Sequence, residues 1–160
     1  MVEYKIRAEI VLNINNENRT IYIKTAATLL DALRAIGITS PKKGCENGDC
    51  GACTVLVDGY PVKSCLYLAV EAVGKKILSV EGLKNSPIFD AFVKKNAFQC
   101  GYCTPGFVVV CHSLAQNKPD ADDAAISEWL QSNICRCTSY EEITEAVKTA
   151  LESISKDKNA

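Results

Sequence analysis

Lys43-Gly44-Cys45-Glu46-Asn47-Gly48-Asp49-Cys50-Gly51-Ala52-Cys53-Thr54-Val55 sets three cysteines in a glycine-rich loop, with four and then two residues between them, and Cys65 follows after eleven more. Such a loop needs a scaffold, and the residues on either side describe one made of strands. Downstream, Thr54 to Val57 and Pro61 to Ser64 flank Asp58-Gly59, the pattern of a hairpin that carries the chain from Cys53 to Cys65. Upstream, Tyr4, Ile6, Ala8, Ile10 and Leu12 alternate with Lys5, Arg7 and Glu9, as in a half-buried strand. Asn15 to Asn18 read as a turn and Thr20 to Ile23 as a second, β-branched strand. Thr28 can cap a short helix through Leu29, Leu30, Leu33 and Ile36, which Gly37 stops. Ile77 to Glu81 make a last strand. Four or five strands with one helix predict a small α+β domain ending near residue 81.

Beyond Gly82 the period changes from two to 3.6. Ser86-Pro87 place a cap and a first-turn proline before Ile88 to Lys95. Phe107, Val110, Cys111 and Leu114 form one apolar stripe, and Ile126, Trp129 and Leu130 form a second. Ile143, Ala146, Val147, Ala150, Leu151 and Ile154 form a third over three turns. Four amphipathic segments with short links predict an all-α four-helix bundle over residues 82–156, with a polar tail at 157–160. Cys103-Thr104-Pro105 and Cys137-Thr138-Ser139 both place cysteine and threonine just before a helix, Thr138 with Glu141 having capping-box spacing and Thr104 preceding a first-turn proline. Two helices thus start from one cysteine-bearing centre.

Eight of the nine cysteines fall into two sets of four. Cys45, Cys50, Cys53 and Cys65 have the spacing of plant-type 2Fe–2S ferredoxins. Two ferric ions, two sulfides and four thiolates leave a net charge of minus two, which backbone N–H groups can offset if glycines let the chain wrap closely. Structural zinc sites are built from two short cysteine pairs, which this loop does not resemble. The second set, Cys100-x2-Cys103 and Cys135-x-Cys137, reads as a second cluster on spacing, with zinc and a redox dithiol also open. A thioredoxin-like dithiol would need a βαβ setting, which a helical half lacks. Helix N-termini favour the thiolate form that either metal needs.

Composition narrows the function. A formal charge of −1, from 18 basic and 19 acidic residues, leaves no basic footprint for nucleic acid or an anionic membrane. No apolar run approaches the ~20 residues of a membrane span. Glu3, Lys5, Arg7 and Glu9 interrupt what would be the apolar core of a signal peptide, so a cytoplasmic protein is expected. No acid–base pair, nucleophile triad or phosphate-binding glycine loop is present, so substrate chemistry is not expected on this chain. Cys111, on an apolar stripe, reads as core filler. His112, the one histidine, reads as structural, Trp129 as a bundle anchor, and Lys42-Lys43 as a solvated loop.

Taken together, the Lys43 to Val55 stretch, Gln99-Cys100-Gly101-Tyr102-Cys103-Thr104-Pro105-Gly106 and Asn133-Ile134-Cys135-Arg136-Cys137-Thr138 resemble the small iron–sulfur subunit of the molybdenum hydroxylases, the family of xanthine dehydrogenase. The likeness runs in order along almost the whole chain. It implies a β-grasp ferredoxin-like domain (1–81) followed by the helical bundle, each with one 2Fe–2S cluster. It further implies electron transfer from a molybdopterin centre on a large partner subunit, through both clusters, to FAD on a medium subunit or to another acceptor. By the same resemblance Gln99 and Cys137 lie against the pterin. Serine at 139 departs from the glycine usual in the family. Because the chain starts at Met1 and ends soon after the bundle, the flavin and molybdenum parts are expected on separate polypeptides. Two alternatives have other signatures. A free-standing ferredoxin would not need the second cysteine set, and a zinc-stabilised interaction module would hold no acid-labile sulfide.

Overall fold

Period-two alternation produces β1 (Arg7–Ile14), whose Ile10, Leu12 and Ile14 are buried while Glu9 and Val11 face outward. The computed structural model describes residues 6 to 158, so Tyr4, expected in this strand, lies outside them. Asn15 and Asn16 both take positive φ, 53° and 67°, and turn the chain in two residues. Glu17 and Asn18, expected in the turn, therefore belong to β2 (Glu17–Lys24), with Ile14 opposite Glu17. Thr28 caps α1 (Leu29–Ala35) by accepting from the Asp31 N–H. β3 (Thr54–Val57) and β4 (Tyr60–Lys63) form the hairpin around Asp58-Gly59. β5 is shorter than expected: Lys76–Leu78 pair, and Val80–Gly82 curl into a 3-10 turn. The sheet order is β2-β1-β5-β3-β4, with β1 and β5 parallel and the other neighbours antiparallel. This is the mixed sheet of a β-grasp, with α1 packed on the face that buries Leu12, Ile14, Val55, Val57 and Ile77.

The helical half holds α2 (Pro87–Lys94), α3 (Thr104–Asn117), α4 (Asp123–Leu130) and α5 (Tyr140–Lys158). Ser86 caps α2 through the Ile88 N–H, and Asp122 caps α4 through the Ala125 N–H. α5 runs on through Asp157 and Lys158, within the expected polar tail. Two caps differ from expectation. Thr104 is the first residue of α3, with Cys103 at the cap position and no side-chain bond there. At α5 it is Ser139 whose hydroxyl meets the Glu142 carboxylate, while Thr138 with Glu141 makes no cap. The two halves share a strand. All four residues of β3 are buried, Val55 and Val57 in the β-grasp core and Leu56 in the bundle core beside Phe107, Val108 and Ile143. Leu78 and Val80 pack against that same bundle core.

Candidate iron–sulfur centres and the joint between them

The loop after α1 is anchored before it reaches its first cysteine. Arg34 donates to the carbonyls of Thr39 and Pro41, and Glu81 accepts from the Ser40 amide at 2.8 Å and from the Ser40 and Ser79 hydroxyls. Partial burial works against ionisation of Glu81, yet these bonds from Ser40 and Ser79 hold its pKa below the ordinary value. The Lys42 N–H then bonds the Ala52 carbonyl at 2.9 Å, closing the base of the loop. Inside it, the Cys45 N–H points at Cys50 Sγ (3.4 Å) and the Cys50 N–H at Cys45 Sγ (3.3 Å). The backbone N–H groups of Cys50, Asn47 and Asp49, with the Cys50 thiol, pull the Cys45 pKa down to about 6, against its desolvation. Gly44 is needed here, because a β-carbon on it would stand 2.7 Å from Cys50 Sγ. Cys53 and Cys65 are buried with Leu30, and Ser64 fixes this end by donating to the Cys53 carbonyl at 2.6 Å. Burial, then the neighbouring Cys53 thiol, pushes Cys65 up to about 11.

The second set gathers where α3 and α5 begin. Cys100 and Cys137 are exposed with their sulfurs 3.6 Å apart, and Cys103 lies deeper beside Cys135. Burial and then the Cys135 thiol push Cys103 up to about 12. Burial also opposes ionisation of Cys135, but the Thr138 and Cys137 N–H groups outweigh it and leave that thiol below its usual value. Tyr140 braces the segment by accepting the Cys135 N–H at 3.2 Å while its ring meets Phe107 edge-on at 6.5 Å. Thr138 Oγ1 is buried and turned toward the Cys135 thiol, where its hydroxyl helps to hold the thiol's pKa down. Gln99 is exposed next to Cys100. Cys111 lies apart, buried in the bundle with its pKa raised by burial to about 12, and the His112 ring meets Gln116 at 2.9 Å.

These donors suit a two-iron cluster. The thiols stand in pairs, Cys45 with Cys50, Cys53 with Cys65, Cys100 with Cys137 and Cys103 with Cys135. A two-iron cluster takes two thiolates on each iron, whereas zinc gathers its four around one point. Among the described residues no three Cys, His, Asp or Glu side chains converge on a single-ion site. The N–H groups aimed at sulfur and the buried Thr138 hydroxyl beside Cys135 are donors of the kind that anionic sulfur attracts.

Both sets open onto one cleft of about 220 Å³, lined by Gly44, Cys45, Cys50 and Ala52 on one side and Cys100, Tyr102, Cys103 and Cys135 on the other. The segment before Cys135 crosses the first loop there. The Ile134 N–H bonds the Cys50 carbonyl at 2.9 Å, Asn133 donates to the Gly51 carbonyl at 3.2 Å, and Lys63 donates to the Ser132 carbonyl and to Asn133 Oδ1. Tyr102 makes a parallel link by donating to the Lys43 carbonyl at 2.6 Å. None of Lys63, Asn133 or Ile134 stands out in the sequence as a joint. The Asn133 and Gly51 partners are 82 positions apart, so no local pattern signals their meeting.

Comparison with known proteins agrees with this geometry. The family described as 2Fe-2S iron-sulfur cluster binding domain matches residues 12–76, and the one described as 2Fe-2S binding domain matches residues 79–148. The nicotinate dehydrogenase small FeS subunit of Eubacterium barkeri is 43% identical over 88% of this chain and 93% of its own length. The nicotine 6-hydroxylase small subunit of Paenarthrobacter nicotinovorans is also 43% identical, over 90% of each chain. The crystal structure of quinoline 2-oxidoreductase from Pseudomonas putida 86 superposes with a TM-score of 0.89 at 38% identity, covering 95% of this chain and 98% of that one.

Proposed function

The chain belongs to the molybdenum hydroxylase family, as a small iron–sulfur subunit of an oxidoreductase complex, and we propose which of its residues carry the electrons and in what order. Cys45, Cys50, Cys53 and Cys65 hold the cluster of the first domain (1–81). Cys100, Cys103, Cys135 and Cys137 hold that of the second (82–156). Each cluster, when bound, takes up and releases one electron without needing a proton. The observation that carries the reading is the joint: the Ile134 N–H, one residue before Cys135, bonds the carbonyl of Cys50. It links a ligand of one set to the neighbour of a ligand of the other through a single hydrogen bond.

The direction is the one that the likeness to the molybdenum hydroxylases implies, and the exposed residues of the second set support it. Cys100, Cys137 and Gln99 are open at the bundle surface, where a large partner subunit would bring its molybdopterin against Gln99 and Cys137. The first set, in the ferredoxin-like domain, would then pass the electron to FAD on a medium subunit or to another acceptor. The complex works in the cytoplasm, where thiols stay reduced until clusters are built. No helix among the described residues is long and apolar enough to cross a membrane.

The test uses the assembled complex carrying Cys50→Ser or Cys103→Ser. Two 2Fe–2S domains require four irons and four acid-labile sulfides in the unsubstituted chain. Each variant should lose half of both and one of two electron paramagnetic resonance signals. In rapid-freeze experiments Cys50→Ser should leave the bundle signal reducible by substrate while flavin reduction stalls. Cys103→Ser should block both. Flavin reduced at the normal rate in either variant would overturn the serial order, and zinc in place of iron and sulfide would overturn the ligand assignment.

A further inference from the structure

Lys63 ends β4, two residues before Cys65, and its chain is half-buried in the joint. Its ammonium bonds only neutral acceptors among the described residues, the Ser132 carbonyl and Asn133 Oδ1 at 3.5 Å, and it forms no ion pair with a carboxylate there. Both of those acceptors crowd Gly51, between Cys50 and Cys53, where a β-carbon would stand 2.4 Å from Asn133 Oδ1 and 2.6 Å from the Ser132 carbonyl, so the ammonium is held at the first set. Burial pulls the Lys63 pKa down, and the Cys53, Cys50, Cys65 and Cys45 sulfurs act against that. The other cations near the two sets are placed differently: Lys42 is turned back to the carbonyls of Thr39 and Ser40, ahead of the first cysteine loop. Lys43 is exposed and neutralised by Asp31 and Glu46, and Arg136, between Cys135 and Cys137, is exposed and so screened by salt.

We propose that Lys63 is a positioning residue for charge: its ammonium, held against the first cysteine set by Ser132 and Asn133 of the helical domain, sets the reduction potential of the ferredoxin-domain cluster. This rests on the assignment of Cys45, Cys50, Cys53 and Cys65 as ligands. One-electron reduction takes a cluster with four thiolates from a total charge of minus two to minus three, with no bond made or broken. A fixed positive charge beside it favours the added electron, and partial burial weakens the screening that would erase the effect. The anchors of that charge belong to the other domain, so the packing of the two domains together sets the tuning of the first cluster. Lys63 thereby draws the electron away from the bundle cluster and toward the acceptor side.

The experiment is a dithionite titration of the full chain with both clusters built, followed by electron paramagnetic resonance, for the unsubstituted protein, Lys63→Gln and Lys63→Arg. Gln keeps an N–H donor for the joint and removes the charge, while Arg keeps the charge. In Lys63→Gln the ferredoxin-domain cluster should become about tenfold harder to reduce, about 59 mV more negative. The bundle cluster should change less than about threefold, and Lys63→Arg should hold both near their original values. Unchanged potentials in Lys63→Gln, or equal shifts of both clusters, would overturn the proposal. Loss of the ferredoxin-domain signal in Lys63→Gln would overturn it too, because Lys63 would then serve assembly and not potential. Absence of two signals from the unsubstituted chain would instead overturn the ligand assignment beneath it.

Discussion

Nine cysteines of one chemical type occupy three kinds of surroundings, and surroundings decide what each can do. Cys45 receives backbone N–H groups and is brought to about 6, while Cys111, surrounded by apolar side chains, is pushed up to about 12. A thiol that stays neutral at any physiological pH acts as a small apolar filler. Cys111→Ala should therefore keep both cluster signals and lower stability by about 1 kcal/mol, measured by thermal denaturation. Loss of either signal would show that Cys111 is a ligand. This contrast was legible in the sequence because Cys111 falls on a helical stripe with Phe107 and Leu114, whereas seven of the other eight lie in a glycine-rich loop or just before helices and Cys65 follows the hairpin. The pairing at the start of α5 was not legible. Thr138 and Ser139 each have a glutamate at the same spacing, and it is the Ser139 hydroxyl that bonds Glu142, side chain to side chain.

Elements joined by short-range signals were readable, and elements joined at a distance were not. The hairpin around Asp58-Gly59, α1 behind Thr28 and α2 behind Ser86-Pro87 all announce themselves within a few residues. The end of β5 did not: Ser79 leaves the ladder because its N–H bonds the Asn15 side chain and its hydroxyl bonds Glu81, contacts that span 64 positions in the first case. Glu81 thus pins the cysteine loop to the connection between domains. Its folded pKa lies below the ordinary 4.5, so ionised Glu81 stabilises the fold. That contribution is complete above pH 4.5 and is lost as pH falls through the lower folded value. Glu81→Gln should cost about 1 kcal/mol at pH 7, a carboxylate only partly buried being partly screened, and should flatten the acid limb of the stability curve below about pH 4.5. Denaturant melts at a series of pH values measure this, and an unchanged acid limb would remove Glu81 from the account.

At the scale of the whole molecule, the two-part pattern of the sequence is visible in the fold, but the parts are less separate than a change of period at residue 82 implies. Alternation shows which residues of β3 face opposite ways, yet Val55, Leu56 and Val57 are all apolar and all buried, and sequence does not say what covers the second face. The covering is the bundle, through Leu56. Leu56→Ala should therefore cost about 2–5 kcal/mol, lowering the melting temperature by about 10 °C, although the residue lies outside the helical half. Both halves should still unfold in a single transition, followed by far-ultraviolet dichroism and by cluster absorbance together. Two resolved transitions would show that the halves are independent.

Because β3 belongs to both cores and the Cys50 carbonyl is bonded across the joint, the chain has no seam along which its halves can swing apart. Electron tunnelling fades exponentially with the gap to be crossed, so a swinging joint would make each crossing a matter of timing, fast when closed and idle when open. A strand common to both cores holds that gap constant. The relay proposed above would then run like a clock with one fixed escapement, any variation in its pace arising outside this chain.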